Sequence, residues 1–232
     1  MTSRQASGGA MGWIEKRAFT DNGAVIYPCK TCRPMKTAIQ SNKRYTTVAI
    51  ALHWGIAILI LFNLGVGFFM EGLEPGLRNI IVPLHISSGI TVLILTVLRL
   101  GWRFTHPPPP LPAEMTDWER RAAHTAHAII YFLMLAMPVT GWAIVSAHPP
   151  RPGAGPLVWG LLHLPPIPPV SHLDAPVQKA AHESFVRIHS IGGWIYVALL
   201  TLHIAAALKH QFYDRHAQFA RMGVGRLPSG EL

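Results

Sequence analysis

Residues 48–69 read V-A-I-A-L-H-W-G-I-A-I-L-I-L-F-N-L-G-V-G-F-F, a run from Val48 to Phe69 without Lys, Arg, Asp or Glu. A hydrocarbon core about 30 Å thick is crossed by about 20 apolar residues of helix. This run is therefore a transmembrane span. Glu71, Gly72 and Pro75 end it. Three similar stretches follow. Ile80–Leu100 stops at Arg99, Trp102 and Arg103, and the Pro107–Pro110 run beyond it forbids helix. His124–Ala147 follows a start signal at Thr116, Asp117 and Glu119, with a kink expected at Pro138. Phe185–Leu208 is the last. The expected fold is all-α, a four-helix transmembrane bundle.

Composition agrees. Only 13% of the 232 residues are charged and 50% are hydrophobic, against about 25% charged in a soluble domain. The net charge of +9 fits a membrane protein with basic cytoplasmic segments, so nucleic acid is not an expected partner. Eight Lys and Arg precede residue 48, four lie between Arg99 and Arg121, and four follow from Lys209. The other two connections hold only Arg78, Arg151, Lys179 and Arg187. The positive-inside rule then places both termini in the cytoplasm.

Residues 1–44 are polar and non-periodic and read as a disordered extension. They lack the apolar run of a signal peptide, so the first span is expected to direct insertion. Met35 stands just ahead of that span and offers a natural start, leaving 1–34 as a mis-assigned segment. Residues 45–222 form the transmembrane domain and 223–232 a tail. Cys29 and Cys32 are the only cysteines. One such pair completes neither a disulfide framework nor a four-ligand zinc site.

The chemistry is expected at histidines. An ionisable residue at membrane depth is costly and marks a functional position, and imidazole is a common axial ligand of haem iron. His189 and His203 lie 14 residues apart, close to four turns, so they share a face about 21 Å apart along the axis. The first helix runs outward with His53 near its cytoplasmic start. The second runs inward with His85 near its outer end. Depth therefore pairs His53 with His203 and His85 with His189. A lone membrane histidine is more often a helix contact or a proton relay; two depth-matched pairs argue for two stacked bis-histidine haem sites. Gly89 and Gly193 each follow a ligand by one turn, which leaves room for a flat macrocycle or for close helix packing.

The motifs R-Y-T-T-V-A-I-A-L-H-W-G around His53, P-L-H-I-S-S-G around His85, H-T-A-H-A-I-I-Y-F-L-M-L-A-M-P-V-T-G-W from His124 and L-H-I-A-A-A-L-K-H-Q-F from Leu202 resemble the bacterial cytochrome b561 family over about residues 43–222. The resemblance implies two haem b groups and electron transfer to or from the quinone pool in the bacterial inner membrane, with ubiquinone as substrate and superoxide as a donor in some members. It implies the same ligands: His53, His85, His189 and His203. His182 with Glu183 also resembles a family ligand motif, but 21 residues separate it from His203, about 31 Å of helix, so His189 is preferred. The segment before residue 44 and the Pro-rich loop at 148–180 depart from the family, which leaves the outer electron donor unassigned.

Around the expected inner haem, His127 and His124 are candidates for quinone binding or proton transfer, or are plain interfacial histidines. Arg99 and Lys209 are candidates for haem propionates, or snorkel to the interface. His210 is expected at the surface. Trp54, Trp102, Trp142 and Trp194 read as interfacial anchors. His106, His148, His163 and His172 fall in loops with no assigned role.

Three functions remain open: a free-standing electron-transfer oxidoreductase, a haem b membrane-anchor subunit of a hydrogenase or dehydrogenase, and a haem-free metal or proton transporter. The absence of membrane-embedded acids counts against the last. Expected partners are membrane lipid, quinone and an electron donor; a homodimer is compatible.

Overall fold

The computed structural model describes residues 18–19, 25–26, 44–111, 115–148, 155–215 and 217–225. The chain divides into two units, residues 1–35 and 36–232. In the first, strands β1 (Ala18–Phe19) and β2 (Val25–Ile26) pair antiparallel, Ala18 opposite Ile26. The expectations for Cys29, Cys32, Met35 and the rest of the first 43 residues lie outside the described residues, as does Arg151.

The second unit is built on four long helices: α1 (Thr47–Phe69), α2 (Pro75–Thr105), α3 (Asp117–Ser146) and, after a short α4 (Pro168–Ser171), α5 (Ala175–Leu208). All four long helices are long and apolar enough to cross a membrane. Three of them begin at a recognisable start signal. The Thr46 hydroxyl accepts from Ala49 N–H, and Pro75 opens α2 where its missing N–H costs nothing. The Glu119 carboxylate accepts from the Thr116 backbone N–H at 3.1 Å and from its hydroxyl at 2.8 Å, as in a capping box.

Three helices begin earlier than the expected spans. α2 starts at Pro75 rather than Ile80, α3 at Asp117, beside its expected start signal, rather than His124, and α5 at Ala175 rather than Phe185. In each case the added turns are mostly polar. They continue the helix beyond the apolar stretch from which the expectation was read. The 148–180 segment is likewise not all loop. Strands β3 (Leu157–Val158) and β4 (Leu162–His163) form a hairpin within it. Its turn residue Trp159 has φ +52° and donates its backbone N–H to Ser87 Oγ at 2.9 Å and its indole N–H to Thr91 Oγ1 at 3.0 Å. The hairpin is thereby docked on α2.

Helix α1 packs on α2, α2 on α3 and α3 on α5, whereas α5 approaches α1 only sparsely. The buried core is one central layer: Ile56 and Ile60 of α1, Val92 of α2, Leu133 and Met134 of α3, and Tyr196 of α5. Small hydroxyl residues let the helices close in, and each turns its hydroxyl back to its own helix. Ser87 donates to Pro83 O, Ser88 to Leu84 O, Thr96 to Val92 O and Ser146 to Trp142 O, at 2.7–2.8 Å. The outward faces carry Ile58, Leu61, Phe69, Phe132 and Leu202, each more than half exposed, a surface that suits lipid and not water.

The two ends of the bundle segment meet. Tyr45 N–H donates to Arg221 O. Arg44 Nε donates to Ala220 O at 2.9 Å, and Trp54 Nε1 to Met222 O at 3.0 Å. A π-helical turn, Lys209–Tyr213, and the short α6 (Gln218–Arg221) carry the chain back. The buried Arg221 guanidinium then donates to Pro110 O at 2.7 Å. This end is called the terminal end below, and the opposite one the far end.

Candidate haem-binding histidine tiers

Helix α5 presents His189, Tyr196 and His203 at seven-residue intervals, so all three lie on one face about 10 Å apart. At the far end the His189 ring meets the His85 ring of α2, with centroids 6.1 Å apart and planes at 74°. At the terminal end His203 meets His53 of α1, with centroids 6.5 Å apart and planes at 61°. The structure thus brings together both pairs expected from depth. Tyr196 lies between the tiers, 4% exposed, with its hydroxyl unpaired among the described residues.

The far-end rings have matched surroundings. A Cβ built on Gly67 of α1 would stand 3.4 Å from His85 Cε1, and one on Gly141 of α3 would stand 3.4 Å from His189 Cε1. Gly67 and Gly141 are the glycines against the imidazole rings. Gly89 faces Asn63 Oδ1 and Gly193 faces Phe68 Cζ of α1, both at an ordinary 3.9 Å from an added Cβ. Thr140, next to Gly141, lies 2.9 Å from His189 Nδ1 through its Oγ1. His85 Nδ1 is buried beside the Asn63 backbone carbonyl but forms no hydrogen bond of good geometry. Sequence reasoning passed over Gly67, Gly141 and Thr140 because each becomes significant only through a neighbouring helix.

At the terminal end His127 of α3 also reaches His203, with centroids 5.5 Å apart. It is exposed, and its Nδ1 lies 2.7 Å from Ala123 O, which leaves Nε2 unengaged by that contact. Arg99 does not simply snorkel: it donates to Ala49 O of α1 at 2.9 Å and to the Tyr131 hydroxyl of α3 at 3.0 Å. Lys209 bridges Glu119 at 2.8 Å and Asp214 at 2.9 Å. Glu119, His210 and Asp214 lie close enough for a metal site, but the Lys209 ammonium already bridges the two carboxylates. His210 is half-buried rather than at the surface, 2.6 Å from Asp214.

His182 sits away from the far-end pair. Its Nδ1 lies 3.1 Å from Ile144 O and 3.2 Å from His148 Nδ1. His148 is thus tied to α5 and not simply a loop residue. A cavity of about 460 Å³ opens beside it, lined by Glu71, His182, Glu183, Val186, Arg187 and Ser190.

The family described as prokaryotic cytochrome b561 matches residues 44–225, which contain all of these histidines. The chain belongs to the prokaryotic cytochrome b561 family. Among curated relatives it is 31% identical to cytochrome b561 homolog 2 of Escherichia coli, over 78% of this chain and 91% of that protein. It is 25% identical to the probable superoxide oxidase CybB of Yersinia pestis, over 78% and 96%. It is 35% identical to cytochrome b562 of Cereibacter sphaeroides, over 42% and 63%. As a cytochrome b561 with four apolar helices, it is a multi-pass haem b protein of the bacterial inner membrane.

The residues present fit a haem b. Metal–imidazole bonds of about 2 Å place the centroids of two trans-axial rings about 6 Å apart, as at both tiers of this cytochrome b561. At the far end His85 and His189 each have a glycine at the Cε1 edge, and His189 also has the Thr140 hydroxyl at Nδ1.

Proposed function

We propose that this cytochrome b561 holds two haem b groups, one between His85 and His189 and one between His53 and His203, and passes electrons between a donor at the far end and quinone at the terminal end. The observation that carries the reading is that one helix, α5, offers two histidines four turns apart, each facing a histidine of a different helix at 6.1 and 6.5 Å. Among the described residues Arg44, Arg99, Arg103, Arg120, Arg121, Lys209, Arg215 and Arg221 lie toward the terminal end and only Arg78, Lys179 and Arg187 toward the far end, which supports a cytoplasmic terminal end. The far end then faces outward, where an extracytoplasmic donor arrives.

His53, His85, His189 and His203 would hold the haems, which when bound would supply one-electron carriage. The protein supplies ligands, spacing and protons. Reduction of a quinone to quinol consumes two electrons and two protons. His127, exposed beside His203, is placed to hold a quinone oxygen or hand on a proton. Arg99, between α1 and α3, places a fixed positive charge beside the inner tier, where a propionate would be neutralised. The relative named a probable superoxide oxidase favours superoxide as donor: two superoxide anions, oxidised to dioxygen, would reduce one quinone with uptake of two protons.

The test is a reduced-minus-oxidised spectrum of the detergent-purified chain, with haem quantified per chain. It is repeated for His53→Ala, His85→Ala, His189→Ala and His203→Ala. Two haems in the parent and loss of one in each variant are expected. A haem-free parent would overturn the reading and return the histidines to transport or packing. A co-purifying hydrogenase or dehydrogenase would make the chain an anchor subunit instead.

A further inference from the structure

We propose that Thr140 is a positioning residue that makes His189 the more electron-rich ligand of the far-end pair. The inference rests on the reading of His85 and His189 as ligands of one haem b. The two rings occupy equivalent places in two helix hairpins. His85 stands over Gly67 and beside the carbonyl of Asn63, four residues earlier; His189 stands over Gly141 and beside the carbonyl of Met137, also four residues earlier. The residue just before the glycine breaks the equivalence. It is Val66 on α1 and Thr140 on α3.

The hydrogen-bond roles follow from counting protons. Thr140 Oγ1 has one proton and donates it to Met137 O at 2.8 Å. Its 2.9 Å contact with His189 Nδ1 must then run from Nδ1–H to an oxygen lone pair. A neutral imidazole carries one N–H, so Nε2 is left as the free lone pair, aimed away from Thr140. An acceptor on the far nitrogen fixes the tautomer, locks the ring and raises ligand basicity. A more basic axial ligand favours the oxidised iron and lowers the reduction potential. Val66 has no hydroxyl, so His85 Nδ1 has only the Asn63 carbonyl beside it, without a hydrogen bond of good geometry.

The test uses the haem-loaded full chain in detergent. The far-end haem is the one lost in His85→Ala, and its midpoint potential is read by spectroelectrochemical titration. Thr140→Val, which keeps shape and removes the acceptor, is expected to favour reduction about tenfold, or about 59 mV upward for one electron. Thr140→Ser should restore the parent value. Val66→Thr should shift the same haem downward, because it gives His85 Nδ1 a hydroxyl acceptor like that of Thr140. The inner haem should not move in any variant. A far-end potential within about twofold of the parent in both Thr140→Val and Val66→Thr would overturn the proposal while leaving the haem assignment intact. If Thr140→Val does not bind haem, the Ser and Val66→Thr shifts decide alone. A parent without a far-end haem would overturn the ligand reading itself.

Discussion

Gly141 of α3 and His189 of α5 are so close that a single methyl group on the glycine would touch the imidazole, 3.4 Å from Cε1. Interiors at this density do not absorb added atoms freely, and overpacking costs about 1–3 kcal/mol. Gly141→Ala should therefore tilt or displace the ring. The expected result is retained haem with an altered low-spin signal in electron paramagnetic resonance and faster haem loss in competition with apomyoglobin. Gly67→Ala should do the same through His85. An unaltered signal in both would show that the rings have slack.

The terminal-end tier has three histidines for two axial positions. His53 and His127 stand 6.5 and 5.5 Å from His203, both close to the separation an intervening iron needs, and His53 is half-buried where His127 is exposed, which favours His53 as the ligand. His127→Ala is expected to keep two haems and slow reduction by quinol at least tenfold, the usual scale for loss of a proton-transfer group. His53→Ala should lose one haem. Loss of a haem in His127→Ala with retention in His53→Ala would exchange the two roles.

Tyr196 carries a buried hydroxyl with no partner among the described residues. An unsatisfied buried polar group costs about 1–3 kcal/mol. Tyr196→Phe keeps the ring between the tiers and removes the oxygen, so thermal stability in detergent should rise. A fall in Tm would mean that the hydroxyl has a partner in the haem-loaded protein.

The Lys209 ammonium holds the Asp214 carboxyl below the usual carboxylate range, chiefly through its hydrogen bond. A depressed folded-state pKa contributes stability that is complete above the ordinary value of about 3.9 and is lost as pH falls through the folded value. The parent should lose Tm on acidification from pH 5 to pH 3. Asp214→Asn should start lower and lose less over that interval. Equal slopes would exclude this link from the acid sensitivity.

Much of the architecture was legible in composition and spacing. Four charge-poor stretches gave four helices because no other open-ended structure satisfies its backbone in hydrocarbon. The interval between His189 and His203 put both on one face, since helix periodicity is independent of what the helix packs against. The early starts of α2 at Pro75 and α5 at Ala175 were less visible, because a helix in water at the membrane surface has no apolar run to announce it. The hairpin around Trp159 was hidden in a Pro-rich segment, since its anchor is Ser87, 72 residues away.

The sequence by itself determined a membrane bundle, the two depths at which histidines stand and the pairs that depth allows. Those properties depend on length, charge and a fixed rise per residue. Only the tertiary structure decided which edge of each ring is fenced and by what: Gly67 against His85, Gly141 and Thr140 against His189, His127 rather than His124 beside His203. These relations join residues on separate helices. The rotation of one helix against another comes from packing, which no single stretch of sequence encodes.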